Sequence, residues 1–358
     1  MASMVYSQGI GIVDSLREAL LSPFFSGPLL LFANFAPEHT RHALSKALSD
    51  RPLLRVIHKA VDIKILRILF VLSLLRYLNR VLSTMAANSW RLAATKGWDW
   101  PNEIAVVTGG SSGIGKLIVE RLAGLGVRVA VLDVQAMPKE MQSDRVRFFE
   151  CDVTLSRSVT AAADAVRREF GHPTILVNNA GVVKPLPILK IPYEQLQKTF
   201  GVNTMSHWLT VQQFLPHMIQ MNKGHVITIA SIASFVALPC AIDYSATKAA
   251  ALAFHEGLTS EIKHFYKAPN VLTTVVHPNF VRTPLVQDFG DFLERAGTPF
   301  LTSEQLADPI VAQLKSCKGG QLIIPNHTTV LSGIRGWPTW AQEMLRDALG
   351  RACGRGLI

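Results

Sequence analysis

The chain has 358 residues, of which 49% are hydrophobic and 17% are charged, and its formal net charge is +10 at pH 7. This length suggests one large domain or two ordinary ones, with ample material for a buried core. The four cysteines lie far apart and form no Cys-x-x-Cys pair, which argues against a disulfide scaffold or a zinc site and favours a reducing compartment.

The positive charge is concentrated in the first hundred residues. They contain 12 of the 36 Lys and Arg residues but only 6 of the 26 Asp and Glu residues. A basic chain can bind nucleic acid, but these cations stand among Leu, Ile and Phe, a pattern that fits an anionic membrane surface better. We therefore expect a membrane or lipid-droplet surface as a partner, and no nucleic acid.

Residues 1–100 are predicted to form an apolar, basic and helical region that associates with membranes. No residue from Ala19 to Pro37 is charged, so this run nearly has the length of a membrane span. Pro23, Gly27 and Pro28 are expected to break it. Interfacial or re-entrant docking is therefore favoured over a transmembrane helix.

A second stretch, 51–82, predicts a long helix. Its longest uncharged run, Ile68 to Leu75, is too short to cross a bilayer. On a helical projection Ser73, Arg76 and Arg80 share one polar arc with other polar residues. Docking on a membrane surface is favoured, and packing on the protein's own core is the alternative.

A compact domain is predicted over residues 101–330. The β-branched run Ile104–Val107 predicts a buried parallel strand. A glycine-rich turn follows it and opens into a helix, with the pattern Thr108-Gly109-x-x-x-Gly113-x-Gly115. Glycine lets the backbone turn sharply and approach a pyrophosphate, which the amides of a helix N-terminus can bind. The pattern therefore predicts a dinucleotide site.

The second predicted strand ends at Asp133, 18 residues after Gly115. A carboxylate at that place accepts hydrogen bonds from the adenosine ribose and repels a 2′-phosphate. NAD is therefore expected to be preferred, with NADP as the other option. A third strand ending at Asp152 and Val153 and a fourth within 174–181 continue the alternation, which predicts a doubly wound α/β fold.

A tyrosine and a lysine, Tyr244 and Lys248, stand four residues apart in a predicted helix, so both side chains lie on one face. Tyrosine has a pKa of about 10 in isolation, and a nearby ammonium favours its phenolate. The pair thus suits proton transfer. A packed tyrosine beside an exposed lysine is the alternative interpretation.

Four motifs in this order resemble those of the short-chain dehydrogenase/reductases. They are the glycine turn, Asn178-Asn179-Ala180-Gly181, Ser231, and Tyr244-x-x-x-Lys248, with Ser231 13 residues before the tyrosine. The apolar leader and stretches such as HVITIASIASF are further similar to the membrane- and lipid-droplet-associated branch of retinol and hydroxysteroid dehydrogenases. The resemblance implies a Rossmann-like doubly wound parallel sheet in a single catalytic domain, followed by a tail at 331–358.

The resemblance also implies a role for each site residue. Tyr244 is the acid/base, Lys248 lowers its pKa, Ser231 binds the substrate oxygen, and Asn203 links Lys248 to water. The implied cofactor-binding residues are Thr108, Gly109, Ser111, Ser112, Gly113, Ile114, Gly115, Asp133, Asp152, Val153, Asn179, Ala180, Gly181, Tyr244, Lys248, Pro278, Val281 and Thr283. No metal site is expected.

One position departs from the family pattern. A glycine usually follows the proline at the position of Pro278, but here the residue is Asn279, which tolerates a left-handed conformation better than most residues do. The neighbouring His277 is expected to pack or to contact ribose. Ser234 stands only ten residues before Tyr244, so Ser231 is the better catalytic candidate.

The predicted activity is that of an NAD(P)-dependent oxidoreductase that interconverts a hydrophobic alcohol with its ketone or aldehyde. The substrate would be a retinoid, a steroid or another lipid. Alternatives are a carbonyl reductase of polyketide or other secondary metabolism and a nucleotide-binding lipid-surface protein without turnover. The expected location is the endoplasmic reticulum or the lipid droplet, with the catalytic domain facing the cytosol. A homodimer is compatible with the resemblance.

Overall fold

The structure is a computed structural model that describes residues 21–40, 63–287, 289, 290, 294 and 298–354. The chain divides into two compact units, Met1–Leu92 and Ala93–Ile358. The first unit contains the described helices α1 (Pro23–Phe35) and α2 (Ile63–Ala87). Residues 51–62 of the second predicted helix lie outside the described part of the chain.

The expectation that Gly27 and Pro28 break the first apolar run is wrong, because α1 continues through both residues. Pro23 stands in the first turn, where an amide has no intrahelical partner to lose, and Pro28 removes one bond without ending the helix. No helix among the described residues has the length and apolarity that crossing a bilayer requires.

A polar contact joins α1 and α2. The hydroxyl oxygens of Ser26 and Ser73 lie 2.9 Å apart, and both residues are buried. At Gly27 an added Cβ would lie 3.2 Å from the ring of Phe70, so a small residue is needed for this approach. Ser73 therefore faces α1, which is a correction to its predicted place on an exposed polar arc.

The second unit is built on a seven-stranded sheet in which every pair of neighbours is parallel. The strand order is β3-β2-β1-β4-β5-β6-β7. The strands are β1 (Ile104–Thr108), β2 (Arg128–Asp133), β3 (Val146–Glu150), β4 (Ile175–Asn178), β5 (Gly224–Ile229), β6 (Val271–Pro278) and β7 (Gly320–Ile324). The described helices of this unit are α3 (Gly113–Gly124), α4 (Ser156–Glu169), α5 (Tyr193–Phe200), α6 (Ser206–Met221), α7 (Ile242–Ser260), α8 (Ser303–Lys315) and α9 (Thr339–Gly354).

Both faces of the sheet are buried. Along β1, Ile104 and Val106 belong to the core cluster that α4 and α6 cover, whereas Ala105 and Val107 belong to the cluster that α3 and α8 cover. Successive strand residues point to opposite faces, so an uninterrupted apolar run is what a central strand with helices on both sides requires. The predicted Rossmann-like α/β fold is confirmed.

The order of strands reverses at β1, which pairs with β2 on one side and with β4 on the other. In sheets of this kind the crevice for a ligand opens at the carboxyl ends of the strands at such a reversal. The loops that follow β1 and β4 carry the glycine turn and Asn179-Ala180-Gly181. The topology therefore brings two of the predicted motifs to one edge of the sheet.

Candidate active site

The glycine turn is packed so closely that side chains would not fit. A Cβ added at Gly115 would lie 2.2 Å from the carbonyl oxygen of Gly109 and 2.6 Å from the side-chain nitrogen of Asn179. Gly109 and Gly113 have φ values of 63° and 54°, in the left-handed region that favours glycine. Helix α3 begins at Gly113, so its first amides face the crevice and could hold a phosphate.

The side chains of Thr108 and Asn179 each form hydrogen bonds with the backbone of the loop that carries the other residue. The hydroxyl of Thr108 accepts from the amides of Asn179 and Ala180 at 3.0 Å each, while the side chain of Asn179 donates to the carbonyls of Thr108 and Gly109 at 3.0 Å. Their polar atoms therefore fasten β1 to β4. The structure places Thr108 beneath the crevice, whereas Asn179, Ala180 and Gly181 line it.

Asp133 is held in a fixed direction at the end of β2. Its carboxylate accepts from the backbone amides of Ser111 and Gln135, each at 3.0 Å. The hydroxyl of Ser111 donates to the carbonyl of Gln135 at 2.9 Å. Because both polar groups of Ser111 serve this arrangement, Ser111 orients Asp133 and does not itself line the crevice.

After the end of β3, the carboxylate of Asp152 accepts from the amide and hydroxyl of Thr154 at 2.9 and 2.7 Å.

The segment after β6 reaches back to the glycine turn. Both residues next to Val281 form backbone hydrogen bonds with Leu301. The amide of Leu301 donates to the carbonyl of Phe280, and the amide of Arg282 donates to the carbonyl of Leu301, each at 2.9 Å. In an extended segment the backbone groups of Val281 then point the other way, toward the crevice. The side chain of Thr283 lies 3.4 Å from where a Cβ of Gly113 would be.

Asn279, which stands where the family usually has glycine, does not use a left-handed conformation. It is absent from the described non-glycine residues that have positive φ. Its amide donates to the carbonyl of Ile324, and its side-chain oxygen accepts from the amide of Phe280, both at 2.9 Å. The turn is thus closed by hydrogen bonds that a glycine could not fully make.

Lys248 is buried, with 3% of its surface exposed. Its Nζ donates to the carbonyl oxygen of Ile229 at 2.8 Å and lies about where a side chain on Gly181 would reach, 3.8 Å from the added Cβ. Burial lowers the pKa of Lys248 to about 8, because a low-dielectric surrounding disfavours the charged form. At pH 7 the amine is therefore still an ammonium.

Asn203 lies in a π-helical turn, Gly201–Met205, between α5 and α6. Its side-chain oxygen accepts from the amide of Val182 at 2.7 Å, and its amide nitrogen donates to the carbonyl of Val182 at 2.8 Å. A π turn interrupts the regular i→i+4 bonds of a helix. The residue is fully buried behind Gly181 and does not line the crevice.

Tyr244 projects toward the same place, with its ring centroid 5.6 Å from Nζ of Lys248. Burial raises the pKa of Tyr244, and a hydrogen bond from Ser231 acts in the opposite direction. Burial is the larger of these two effects, and the lowering of this pKa by Lys248 that the sequence predicted is not found. Ser231 is buried and its hydroxyl accepts from the amide of Ala233 at 3.1 Å. Ser234 instead donates to the backbone of Lys248 at 2.9 Å.

These groups surround one cleft of about 930 Å³. Its lining includes 16 of the residues named from the sequence: Gly109, Ser112, Gly113, Ile114, Asp133, Asp152, Val153, Asn179, Ala180, Gly181, Ser231, Tyr244, Lys248, Pro278, Val281 and Thr283. Thr108, Ser111, Gly115 and Asn203 are near it but do not line it. An apolar wall also lines the cleft, formed by Val183, Pro185, Leu238, Phe280, Val286 and Phe289. The apolar residues of the segment 284–299 predict an apolar substrate, and Val286 and Phe289 belong to that segment, whereas sequence reasoning missed Val183, Pro185, Leu238 and Phe280.

The histidines that the mechanism does not use are held neutral. Burial lowers the pKa of His207 and His225 to about 3 and that of His255 to about 4. No group of three or more His, Cys, Asp or Glu side chains suited to a metal ion occurs in the described part of the chain.

Comparison with known proteins identifies the family that the sequence motifs resemble. The model of the short chain dehydrogenase family matches residues 103–293. Dehydrogenase RED2 of Cochliobolus heterostrophus is 42% identical over 180 residues, which cover 50% of this chain and 68% of that protein. Estradiol 17-beta-dehydrogenase 11 of Pongo abelii is 35% identical over 193 residues, which cover 52% and 64%.

Among solved structures, a short chain dehydrogenase/reductase from Burkholderia phymatum in complex with NAD superposes with a TM-score of 0.60. It is 22% identical, and the alignment covers 67% of this chain and 95% of that one, so it supports the fold. The chain belongs to the short-chain dehydrogenase/reductase family, and its relatives support the hydroxysteroid and retinol dehydrogenase-like branch. It is an NAD(P)-dependent oxidoreductase that acts on CH–OH groups.

Proposed function

We propose that the protein interconverts a hydrophobic lipid alcohol, such as a retinoid or a steroid, with its carbonyl form by a Ser–Tyr–Lys mechanism. The observation that supports this most strongly is the placement of Ser231, Tyr244 and Lys248 in one cleft with the glycine turn.

Tyr244 is proposed to take the hydroxyl proton during oxidation and to return it during reduction. Moving a phenol pKa from about 10 to near 7 requires about 4 kcal/mol, and burial adds to this demand. An ammonium at ~5 Å supplies on the order of 3 kcal/mol at an effective dielectric constant of about 20, which is the role of Lys248. A bound nicotinamide supplies the hydride chemistry and, when oxidised, a further positive charge.

Ser231 and Asn203 complete the mechanism. The hydroxyl of Ser231 donates to the substrate oxygen and stabilises the negative charge that develops on it. The π turn at Asn203 lies behind Lys248 and is proposed to link its amine with bulk water for proton exchange. Both residues are buried, so neither pays a large ordering cost when substrate binds.

The apolar wall favours a lipid substrate. The side chains beyond Tyr244 are mainly Val183, Leu238, Phe280, Val286 and Phe289, and each buried methylene of a ligand contributes about 0.8 kcal/mol to binding. The similarity to an estradiol 17-beta-dehydrogenase supports a steroid or a molecule of similar size.

The N-terminal unit supports membrane association. Its helices expose Phe24, Phe35, Ile68 and Leu75 by 58–81% of their surface, while the polar Ser26 and Ser73 are buried between them. This arrangement is the inverse of a water-soluble helix pair and suits an apolar surrounding. We propose that this unit docks on the endoplasmic reticulum or a lipid droplet.

Replacing the acid/base should remove turnover. Tyr244→Phe is expected to lower kcat for oxidation of a lipid alcohol by at least ~100-fold, because no other described group can take the proton. NADH formation measured spectrophotometrically, with the dissociation constant for cofactor measured separately, checks this. Tyr193→Phe alters an exposed tyrosine and serves as the control. Activity of the Tyr244→Phe protein close to that of the control would disprove the mechanism.

Asp133 should decide the choice of cofactor. The wild type is expected to prefer NAD, and Asp133→Ala should shift the ratio of kcat/KM for NAD over NADP by roughly 10-fold toward NADP, or about 1.4 kcal/mol. The loss of negative charge beside the ribose is the cause. Asp144→Ala, at an exposed turn, should leave the ratio unchanged. Equal use of both cofactors by the wild type would refute this role.

Membrane docking predicts that the full chain floats with phosphatidylcholine vesicles, and more completely when phosphatidylserine is included. Charged substitutions on the exposed apolar surface, Phe35→Asp and Ile68→Asp, should reduce the bound fraction severalfold. Phe265→Asp, at an equally exposed residue of the catalytic unit, is the matched control. A wild-type chain that stays soluble without detergent and does not float would contradict the proposal.

A further inference from the structure

The position before Pro278 holds a histidine, His277, whose side chain is fully buried. Its Nδ1 lies 3.0 Å from the carbonyl oxygen of Ser231, and its Nε2 lies 3.1 Å from the side-chain nitrogen of Gln321. The ring packs on Phe235, with a centroid separation of 4.4 Å. His277 therefore touches the backbone of the residue whose hydroxyl is proposed to bind substrate.

The two contacts fix one tautomer of the imidazole. A carbonyl oxygen only accepts, so Nδ1 must carry the hydrogen, and an amide nitrogen only donates, so Nε2 must accept from Gln321. The reverse orientation of the Gln321 amide would require an imidazolium. Burial lowers the pKa of His277 to about 4, which keeps the ring neutral. The hydrogen-bond geometry and the burial therefore both indicate that His277 is the neutral tautomer with its hydrogen on Nδ1.

This arrangement distinguishes His277 from the other buried histidines. Within the described part of the chain, His207, His225 and His255 each have at least one ring nitrogen without a hydrogen-bond partner. Those residues behave as packed rings. His277 has a partner at both nitrogens, as expected of a side chain that orients a neighbour.

The backbone ladder between β5 and β6 stops just before Ser231. The last backbone bond between the two strand ends runs from the amide of Ala230 to the carbonyl of Val276 at 2.8 Å. Continuation of the parallel ladder needs an amide hydrogen at Pro278, which proline does not have. One residue further on, the carbonyl of Ser231 accepts from the backbone amide of Ser234 at 2.9 Å, and the Nδ1–H of His277 is its second donor.

We propose that His277 is a positioning residue, whose hydrogen bond to the Ser231 carbonyl sets the direction in which the Ser231 hydroxyl points beside Tyr244. Gln321 fixes the tautomer that makes this bond. The inference rests on the proposed function, because it takes Ser231 as the group that binds the substrate oxygen.

Three substitutions separate the hydrogen bond from packing. His277→Asn places an amide nitrogen where Nδ1 was, His277→Gln places it where Nε2 was, and His277→Leu removes the donor. We expect kcat to fall by roughly 10-fold or more in the Gln and Leu variants, in line with the loss of one oriented hydrogen bond. The Asn variant should retain most of kcat, and KM for NAD should be unchanged in all three.

A second measurement keeps the test independent of variant folding and of turnover. The ¹⁵N chemical shifts of His277 in the wild-type protein should identify the Nδ1–H tautomer at pH 7. Detection of the Nε2–H tautomer would overturn the proposal, as would wild-type kcat in a Leu variant of unchanged Tm. Equal losses in the Asn and Leu variants at unchanged Tm would also overturn it. Absence of dehydrogenase activity in the wild type would instead refute the proposed function.

Discussion

The site depends on a cation that is kept inside the protein. The amine of Lys248 is buried beside the end of β5, where it donates a hydrogen bond to the carbonyl of Ile229. A buried ammonium is costly unless other groups pair with it, and the phenol of Tyr244 lies on the same helix face. Under the proposed function the hydroxyls of a bound ribose are a further partner, so the energetic demand of this one charge would account for both the acid/base and the ligand.

The surrounding polar groups are mostly committed to holding the backbone. Thr108, Ser111 and Asn179 use their side chains to fasten strand ends and to aim Asp133, and Asn203 is bound to Val182. What remains for ligands is mainly backbone: the amides of the glycine turn and those near Val281. A rigid frame of this kind keeps donors in place before a ligand arrives, which lowers the cost of binding it.

Much of this could be predicted from the sequence, because local chemistry decides it. Strong apolar runs predicted the central strands. The glycine turn predicted the edge of the sheet at which the cleft lies, and the spacing of Tyr244 and Lys248 predicted that both side chains share one helix face. Effects that depend on tertiary packing could not be predicted from the sequence. The continuity of α1 through Pro28, the inward direction of Ser73 and the effect of burial on the pKa of Tyr244 all required the fold. The role of a residue such as Ser111 could be assigned only when the hydrogen-bond partner of each of its polar atoms was known.

The most direct test of the central claim is the pH dependence of kcat/KM for alcohol oxidation in the wild type and in Lys248→Met. Oxidation consumes the deprotonated phenol, whose pKa burial raises. The rate constant should therefore increase with pH, and removal of the ammonium should move that increase to higher pH. A profile that is independent of pH, or one that is identical in the two proteins, would contradict a phenol made acidic by its neighbouring lysine.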